Sequence, residues 1–327
     1  MQITIYGSGS WGTALACLLH DNGHKVNMWG WLSEQVNEII QLGENPLLPG
    51  ISIPEDMEIT TDYSIGSSSD LIVFAVPSGA VKKVTSAATP FIKKDALLVN
   101  VAKGFHPDTQ QRLSEIIKEA FPGRPVMTLS GPSHAEEVAR KLPTAIAISG
   151  DNPQMLHQVQ DIFMNQYFRV YPNEDQIGAE VGGAVKNIIA LGSGIIDGLG
   201  LGDNSRAAIM TRGLAEMKRL GVAMGAQPRT FSGLTGMGDL IVTCTSIHSR
   251  NYRAGKQIGQ GKPWKQVLAE TNMVVEGVYA TEATYKLAQK YGIEMPITEQ
   301  IHKILYENIT PQEAMISLLT REKTKSE

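Results

Sequence analysis

Gly7, Gly9 and Gly12 stand in a G-x-G-x-x-G spacing, directly after the apolar run 3–6 and at the start of a helical pattern that carries Leu15, Leu18 and Leu19 on one face. In that context the first glycine admits a tight turn, the second lets another group approach the backbone, and the third lets helix and sheet pack closely. The first N–H groups of such a helix have no partner of their own, so the natural occupant is a pyrophosphate, and hence a dinucleotide. The plain alternative is a strand-to-helix turn that binds nothing.

The pattern that follows favours the ligand. Short apolar runs alternate with helical stretches: strands are predicted at 25–29, 71–76, 97–102, 126–129, 145–148 and 167–171, the rhythm of a parallel sheet covered by helices. Pro77 stops the strand at 71–76, and Ser78 is placed to cap the helix after it. Residues 41–57, with three prolines, read as an irregular connection, either a loop or a flap. Near Gln176 the strands end and long helices take over, one from about 178 to 197 and one from about 205 to 224, with Asp203 or Asn204 as its cap. The predicted fold is α/β: a Rossmann-like doubly wound sheet domain over residues 1–177, followed by a mainly α-helical substrate domain over 178–327, with a charged tail, 321–327, that frays.

Composition narrows the function class. A chain of 327 residues with 29 basic and 33 acidic side chains has a formal charge of −4, which gives no general argument for nucleic acid or an anionic membrane. The apolar stretch 188–196 is too short to span a bilayer. Cys17 and Cys244 match no metal spacing, which suits a reducing compartment, and the run from Met1 lacks the basic segment and cleavage site of a signal peptide. A cytoplasmic protein without metal ligands is expected; His134 and His248 read as structural or surface residues.

Reduction of a ketone by hydride needs a proton donor at the oxygen. Lys186 is the candidate, with small Gly182 and Ala190 four residues to either side leaving room for a ligand; the alternative is an exposed lysine. Lys103 follows the strand ending at 102 and should project from the carboxyl edge, where doubly wound sheets bind ligands; on its own it could equally be a surface charge. The stretch 235–251, TGMGDLIVTCTSIHSRN, reads as a site loop in which Ser249 caps a helix opened by Arg250 and Asn251, a set suited to a phosphate dianion. The alternative there is an ordinary capped helix with Arg250 in solvent. At the end of the second strand, where an acid would accept the ribose hydroxyls of NAD, the chain has Gly30 and Trp31. Neither a carboxylate nor an arginine is there, so the expectation is NADP, or both NADP and NAD, with Trp31 either stacked on adenine or buried without a ligand role.

Taken in order, GSGSWGTALA from Gly7, VAKGF from Val101, GPSHAEEVA from Gly131, GAVKN from Gly183, TGMGDL with TCTSIHSRN, and VVEGV from Val274 resemble the bacterial, soluble, NAD(P)-dependent glycerol-3-phosphate dehydrogenases over nearly the whole chain. The resemblance implies reversible reduction of dihydroxyacetone phosphate to sn-glycerol 3-phosphate, feeding phospholipid synthesis, in a homodimer. It implies that Lys186 transfers the proton and that Asp239 orients it. Lys103, Gly131, Ser133, Lys186, Asp239, Thr243, Ser249, Arg250 and Asn251 would touch substrate. Gly7, Gly9, Ser10, Trp11, Gly12, Trp31, Lys103, Ala135, Arg250, Val274 and Glu276 would approach the cofactor. Two positions depart from the family: Trp31 replaces an arginine or histidine near the adenosine 2′ position, and His134 replaces a more usual aromatic residue.

On this reading the Lys186 amine protonates the developing alkoxide, and Lys103 stabilises negative charge nearby. A lysine has a free value of about 10.4; a neighbouring cation and burial would lower it, whereas Asp239 would raise it. The rivals are another lysine-dependent hydroxyacid or 6-phosphogluconate dehydrogenase, against which the SRN segment speaks, and a non-catalytic dinucleotide sensor, which would not need the two lysines and Asp239.

Overall fold

The computed structural model describes residues 1–271 and 273–321; most of the tail expected to fray lies outside the described residues. Two compact units are present, Met1–His106 with Gln111–Glu180, and Pro107–Gln110 with Val181–Glu327. The division therefore falls inside a helix, between Glu180 and Val181, where the sequence suggested a break after residue 177.

The first unit is built on strands β1 (Gln2–Tyr6), β2 (Lys25–Trp29), β3 (Ile59–Thr60), β4 (Leu71–Phe74), β5 (Leu97–Asn100), β6 (Val126–Ser130), β7 (Thr144–Ser149) and β8 (Phe168–Asn173). They form an eight-stranded sheet in the order β3-β2-β1-β4-β5-β6-β7-β8. Neighbours are parallel except the antiparallel pair β6 and β7. The order reverses between β1 and β4, the kind of switch point at which open α/β sheets bind ligands. Its helices are α1 (Ser10–Asp21), α2 (Ser33–Leu42), α3 (Val81–Ala88), α4 (Leu113–Ala120), α5 (Ala135–Ala139) and α6 (Pro153–Phe163).

Because side chains alternate along a strand, the sheet divides its apolar residues between two faces. Ile3, Ile5, Val73 and Val99 pack with Leu15 and Leu19 of α1 and Phe163 of α6. Tyr6, Trp29, Ile72, Phe74 and Leu98 pack with Val81 and Val84 of α3 and Ile116 and Ile117 of α4. Ser78 does not stand at the cap position of α3, which falls to Ala80. Ser78 opens a short 3-10 turn, Ser78–Ala80, and neither the turn nor the helix has a side-chain cap; Pro77 and the turn redirect the chain first.

The second unit is helical. α7 (Gln176–Gly198) leads to α8 (Gly202–Ala223), α9 (Asp239–Thr245), α10 (Arg250–Gly259), α11 (Trp264–Ala269), α12 (Glu276–Tyr291), α13 (Pro296–Tyr306) and α14 (Pro311–Leu319). At 23 residues α7 is longer than the apolar stretch suggested and could span a membrane by length and composition alone, but its whole apolar window is buried in the protein. Neither Asp203 nor Asn204 caps α8. The helix starts earlier, at Gly202, with Leu201 at the cap position and no side-chain cap, and Asp203 pairs with Arg206 within its first turn.

Candidate functional site

In the first unit the predicted residues gather along the carboxyl ends of neighbouring strands. The turn after β1 has Gly7 at φ +136°, and a Cβ there would lie 2.4 Å from the Ala75 carbonyl oxygen. A Cβ on Gly12 would lie 2.0 Å from the Gly7 carbonyl oxygen, so the third glycine serves contact with the turn itself. At Gly9 a Cβ would meet nothing within 4 Å. The start of α1 carries neither a side-chain cap nor an acidic residue in its first turn. Open space at the second glycine beside uncapped helix N–H groups fits a pyrophosphate, the central group of NAD or NADP.

Ser10 is buried at the head of α1, and Trp11 packs against Ala14, Leu48 and Ala135. The indole Nε1 of Trp11 is buried without a hydrogen-bond partner. Trp31, beyond the end of β2, is 55 % exposed, so the alternative of a buried aromatic is excluded.

Asn45, which the sequence reading missed, secures the glycine turn. It is fully buried and donates to the Ser8 carbonyl (2.8 Å) and to Thr13 Oγ1 (2.7 Å). Its Oδ1 accepts from the Leu47 N–H at 3.0 Å, the self-bonding turn for which an Asn before Pro is the sequence signal. With Leu48, Ile53 and Met57 also buried, the irregular connection is tied down at several points.

Three predicted substrate residues meet after β5 and β6. Lys103 Nζ donates to the Gly131 carbonyl at 2.9 Å, and Ser133 Oγ donates to the same oxygen at 3.0 Å. Gly131 has φ +149°, a conformation that favours glycine. Ala135 follows as the buried first residue of α5, with His134 at its cap position.

In the second unit Lys186, on α7, is only 5 % exposed, which rejects the exposed-lysine alternative. Its Nζ donates to Asp239 Oδ1 at 2.6 Å and Thr243 Oγ1 at 2.8 Å. Asp239 and Thr243 are also buried and lie one turn apart on α9, so they face the same side. The small flank predicted to leave room for a ligand does something else at Gly182: a Cβ there would lie 2.4 Å from the Thr235 carbonyl oxygen. That space is filled by the backbone leading into α9, and the close approach brings Asp239 to Lys186.

Ser249 caps α10 as predicted, its side chain accepting from the Tyr252 N–H. Arg250 is half-buried and donates to the Val274 carbonyl at 3.2 Å, so it is not simply in solvent. Asn251 donates to Asn187 Oδ1 (2.9 Å) and accepts from the Gly277 N–H (2.8 Å), linking α7, α10 and α12. Val274 and Glu276 are thereby held beside α10, the latter as first residue of α12. Asn187 is the connecting residue that sequence alone did not single out for a role.

Cys17 and Cys244 are both free, and burial pushes their thiols up to about 11 and about 12. Among the described residues no group of three or more His, Cys, Asp and Glu side chains could hold a metal ion.

Family models for the N-terminus and C-terminus of NAD-dependent glycerol-3-phosphate dehydrogenase match residues 2–156 and 175–316. The glycerol-3-phosphate dehydrogenase, NAD(P)+, of Bacillus velezensis is 50% identical over 99% of this chain and 95% of its own length. The Bacillus subtilis protein of the same name is 49% identical, again over 99% and 95%. The crystal structure of glycerol-3-phosphate dehydrogenase from Coxiella burnetii superposes with a TM-score of 0.95 at 41% identity, covering 98% of this chain and 99% of that one. With both halves matched in order and the fold reproduced from end to end, the chain belongs to the NAD-dependent glycerol-3-phosphate dehydrogenase family.

Proposed function

We propose that this chain catalyses the reversible reduction of dihydroxyacetone phosphate to sn-glycerol 3-phosphate with NADH or NADPH. The observation that carries the reading is the buried amine of Lys186, held at 2.6 Å by Asp239 and at 2.8 Å by Thr243. A lysine kept from water by two polar partners on one helix suits proton transfer better than a surface role.

When bound, the dinucleotide supplies the hydride that reduces the central carbonyl carbon. Lys186, as the ammonium, gives its proton to the carbonyl oxygen as charge develops there; in the oxidative direction the neutral amine takes the proton back. Asp239 favours the ammonium form, which reduction requires, and with Thr243 fixes its direction. Lys103, steadied on the Gly131 carbonyl beside Ser133, adds positive charge for the developing alkoxide. Ser249, Arg250 and Asn251 bind the phosphate through the start of α10 and the guanidinium. Gly7, Gly9, Ser10, Trp11, Gly12 and Ala135 hold the dinucleotide, and the family resemblance assigns Arg250, Val274 and Glu276 to cofactor binding as well. Residues 1–177 thus act as the dinucleotide domain and 178–327 as the substrate domain, in a homodimer that feeds phospholipid synthesis in the cytoplasm; the two free thiols agree with a reducing compartment.

Following NADH or NADPH absorbance with dihydroxyacetone phosphate tests the reading. Consumption that depends on the phosphorylated ketone is expected, and no consumption with either cofactor would leave a dinucleotide sensor. Equal use of unphosphorylated dihydroxyacetone would refute the phosphate role of Arg250 and its neighbours.

A further inference from the structure

We propose that Lys83 is the residue by which this chain recognises the 2′-phosphate of NADP, a proposal that rests on the dinucleotide reading above. In a doubly wound sheet the adenosine ribose lies beyond the carboxyl end of the second strand, where an acid selects the ribose hydroxyls and a cation selects a 2′-phosphate. β2 ends at Trp29, and the next position cannot carry a selecting side chain. A Cβ on Gly30 would lie 2.5 Å from Val36 Cγ2 and 2.6 Å from Ser8 Oγ. Trp31 follows, its ring 6.2 Å from that of Trp29 and its side chain largely in solvent.

The cation missing from this stretch of sequence comes from α3. The Lys83 amine sits 4.1 Å from the centroid of the Trp31 ring. Both residues are exposed, and among the described residues no carboxylate forms an ion pair with Lys83. α3 follows β4, and β2 and β4 are the strands on either side of β1, whose exit is the glycine turn. An indole face attracts an ammonium through its quadrupole and limits where the long side chain goes. Trp31 therefore serves as a platform that holds the Lys83 charge at the end of β2 while its ring remains available to adenine. A phosphate dianion placed there gains a charge-assisted hydrogen bond; a ribose hydroxyl gains little.

Four proteins test this: wild type, Lys83→Met, Lys82→Met and Trp31→Phe. Each is titrated with NADPH and NADH by nicotinamide fluorescence, and with adenosine 2′,5′-bisphosphate and AMP by competition. Lys83→Met should weaken NADPH and the bisphosphate by about tenfold, leaving NADH and AMP within about twofold, since only the phosphate contact is lost. Lys82→Met, which removes the same charge one residue away, should change neither ratio, and Trp31→Phe should keep part of the preference. Unchanged NADH affinity in Lys83→Met also shows that the variant is folded. The proposal is overturned if Lys83→Met affects all four ligands alike or none of them, or if Lys82→Met produces the same loss. A wild-type protein that binds neither dinucleotide overturns the functional reading itself, a result distinct from binding both with no response to Lys83.

Discussion

The sheet unit and the helical unit place their chemistry by different means. In the first, groups are held to backbone at strand ends: Lys103 and Ser133 on the Gly131 carbonyl, Asn45 on the Ser8 carbonyl, and Gly7 in a conformation that favours glycine. In the second, the groups in the middle of helices are held by side chains, Lys186 by Asp239 and Thr243 and Asn187 by Asn251, and only residues at helix starts, such as Ser249, Arg250 and Asn251, also reach backbone. The cause is where unpaired backbone occurs. Strands of a parallel sheet end in loops whose carbonyl and N–H groups are available, whereas the interior of a helix bonds to itself and leaves only its side chains to reach across. The sheet unit should therefore be most sensitive to added Cβ atoms, and the helical unit to removed polar atoms.

The largest expected effect tests the second half of that statement. Lys186→Met keeps the length and removes the proton, so turnover should fall by roughly 10²- to 10⁴-fold with dinucleotide binding retained. It also leaves the buried Asp239 carboxylate without its cation, a loss of about 3–5 kcal/mol in stability. Adding Asp239→Asn should restore much of that stability and none of the turnover. Near-normal turnover in the single variant, measured with its thermal melt, would break the assignment; recovery of both quantities in the double variant would make the pair structural only.

A second pair of buried groups sharpens the comparison. Glu180, in the first unit, accepts from Ser114 N at 2.8 Å, from Ser114 Oγ at 2.6 Å and from the Arg112 guanidinium at 2.9 Å. Glu216, on α8, receives only neutral donors, the N–H groups of Ile297 and Thr298 and the Thr298 hydroxyl, at the start of α13. Burial raises both carboxyls, that of Glu180 against the opposing pull of Arg112 and Ser114 and that of Glu216 from 4.5 to about 7. A carboxyl raised on folding contributes stability that is fully present below its unfolded value and is lost as pH rises through the folded one. The loss between those limits is roughly 3 kcal/mol at 1.36 kcal/mol per unit. Urea unfolding at about pH 5 and about pH 8 should show wild type losing that much more stability than Glu216→Gln. Identical pH dependence in the two proteins would remove Glu216 from the account.

The sequence made the backbone-built features more legible than the side-chain-built ones, for the same physical reason. A glycine spacing after a strand declares its turn locally, as do the strand at 25–29 and the Ser249 cap. Strand order is set by packing between distant segments, so the order reversal beside β1 and the two-residue β3 left no local signal. Lys186 stands out by its small flank, and Asp239 and Thr243 gain their roles only through the family resemblance, because their mutual bonding spans 53 and 57 residues of chain. Lys83 was invisible because its partner ring lies on another element. The cap readings at Ser78 and at Asp203 or Asn204 failed where a 3-10 turn, or an earlier helix start, took the position that local preference suggested.

Two glycines, one in each unit, give the smallest and most direct test. A Cβ at Gly12 would press on the Gly7 carbonyl oxygen at 2.0 Å, and one at Gly182 on the Thr235 carbonyl oxygen at 2.4 Å. Both obstacles are backbone, which yields less readily than the end of a side chain, and each alanine variant should lose about 1–3 kcal/mol of stability. The functional losses should separate. Gly12→Ala moves the turn over which the dinucleotide lies, so NADH and NADPH should both bind more weakly. Gly182→Ala moves the segment that carries Asp239 toward Lys186, so turnover should fall with dinucleotide binding unchanged. Fluorescence titration and steady-state kinetics on the same two proteins decide it. Equal loss of binding in both would show that the helical unit also shapes the dinucleotide site through its backbone, and the contrast between the units would then hold for stability alone.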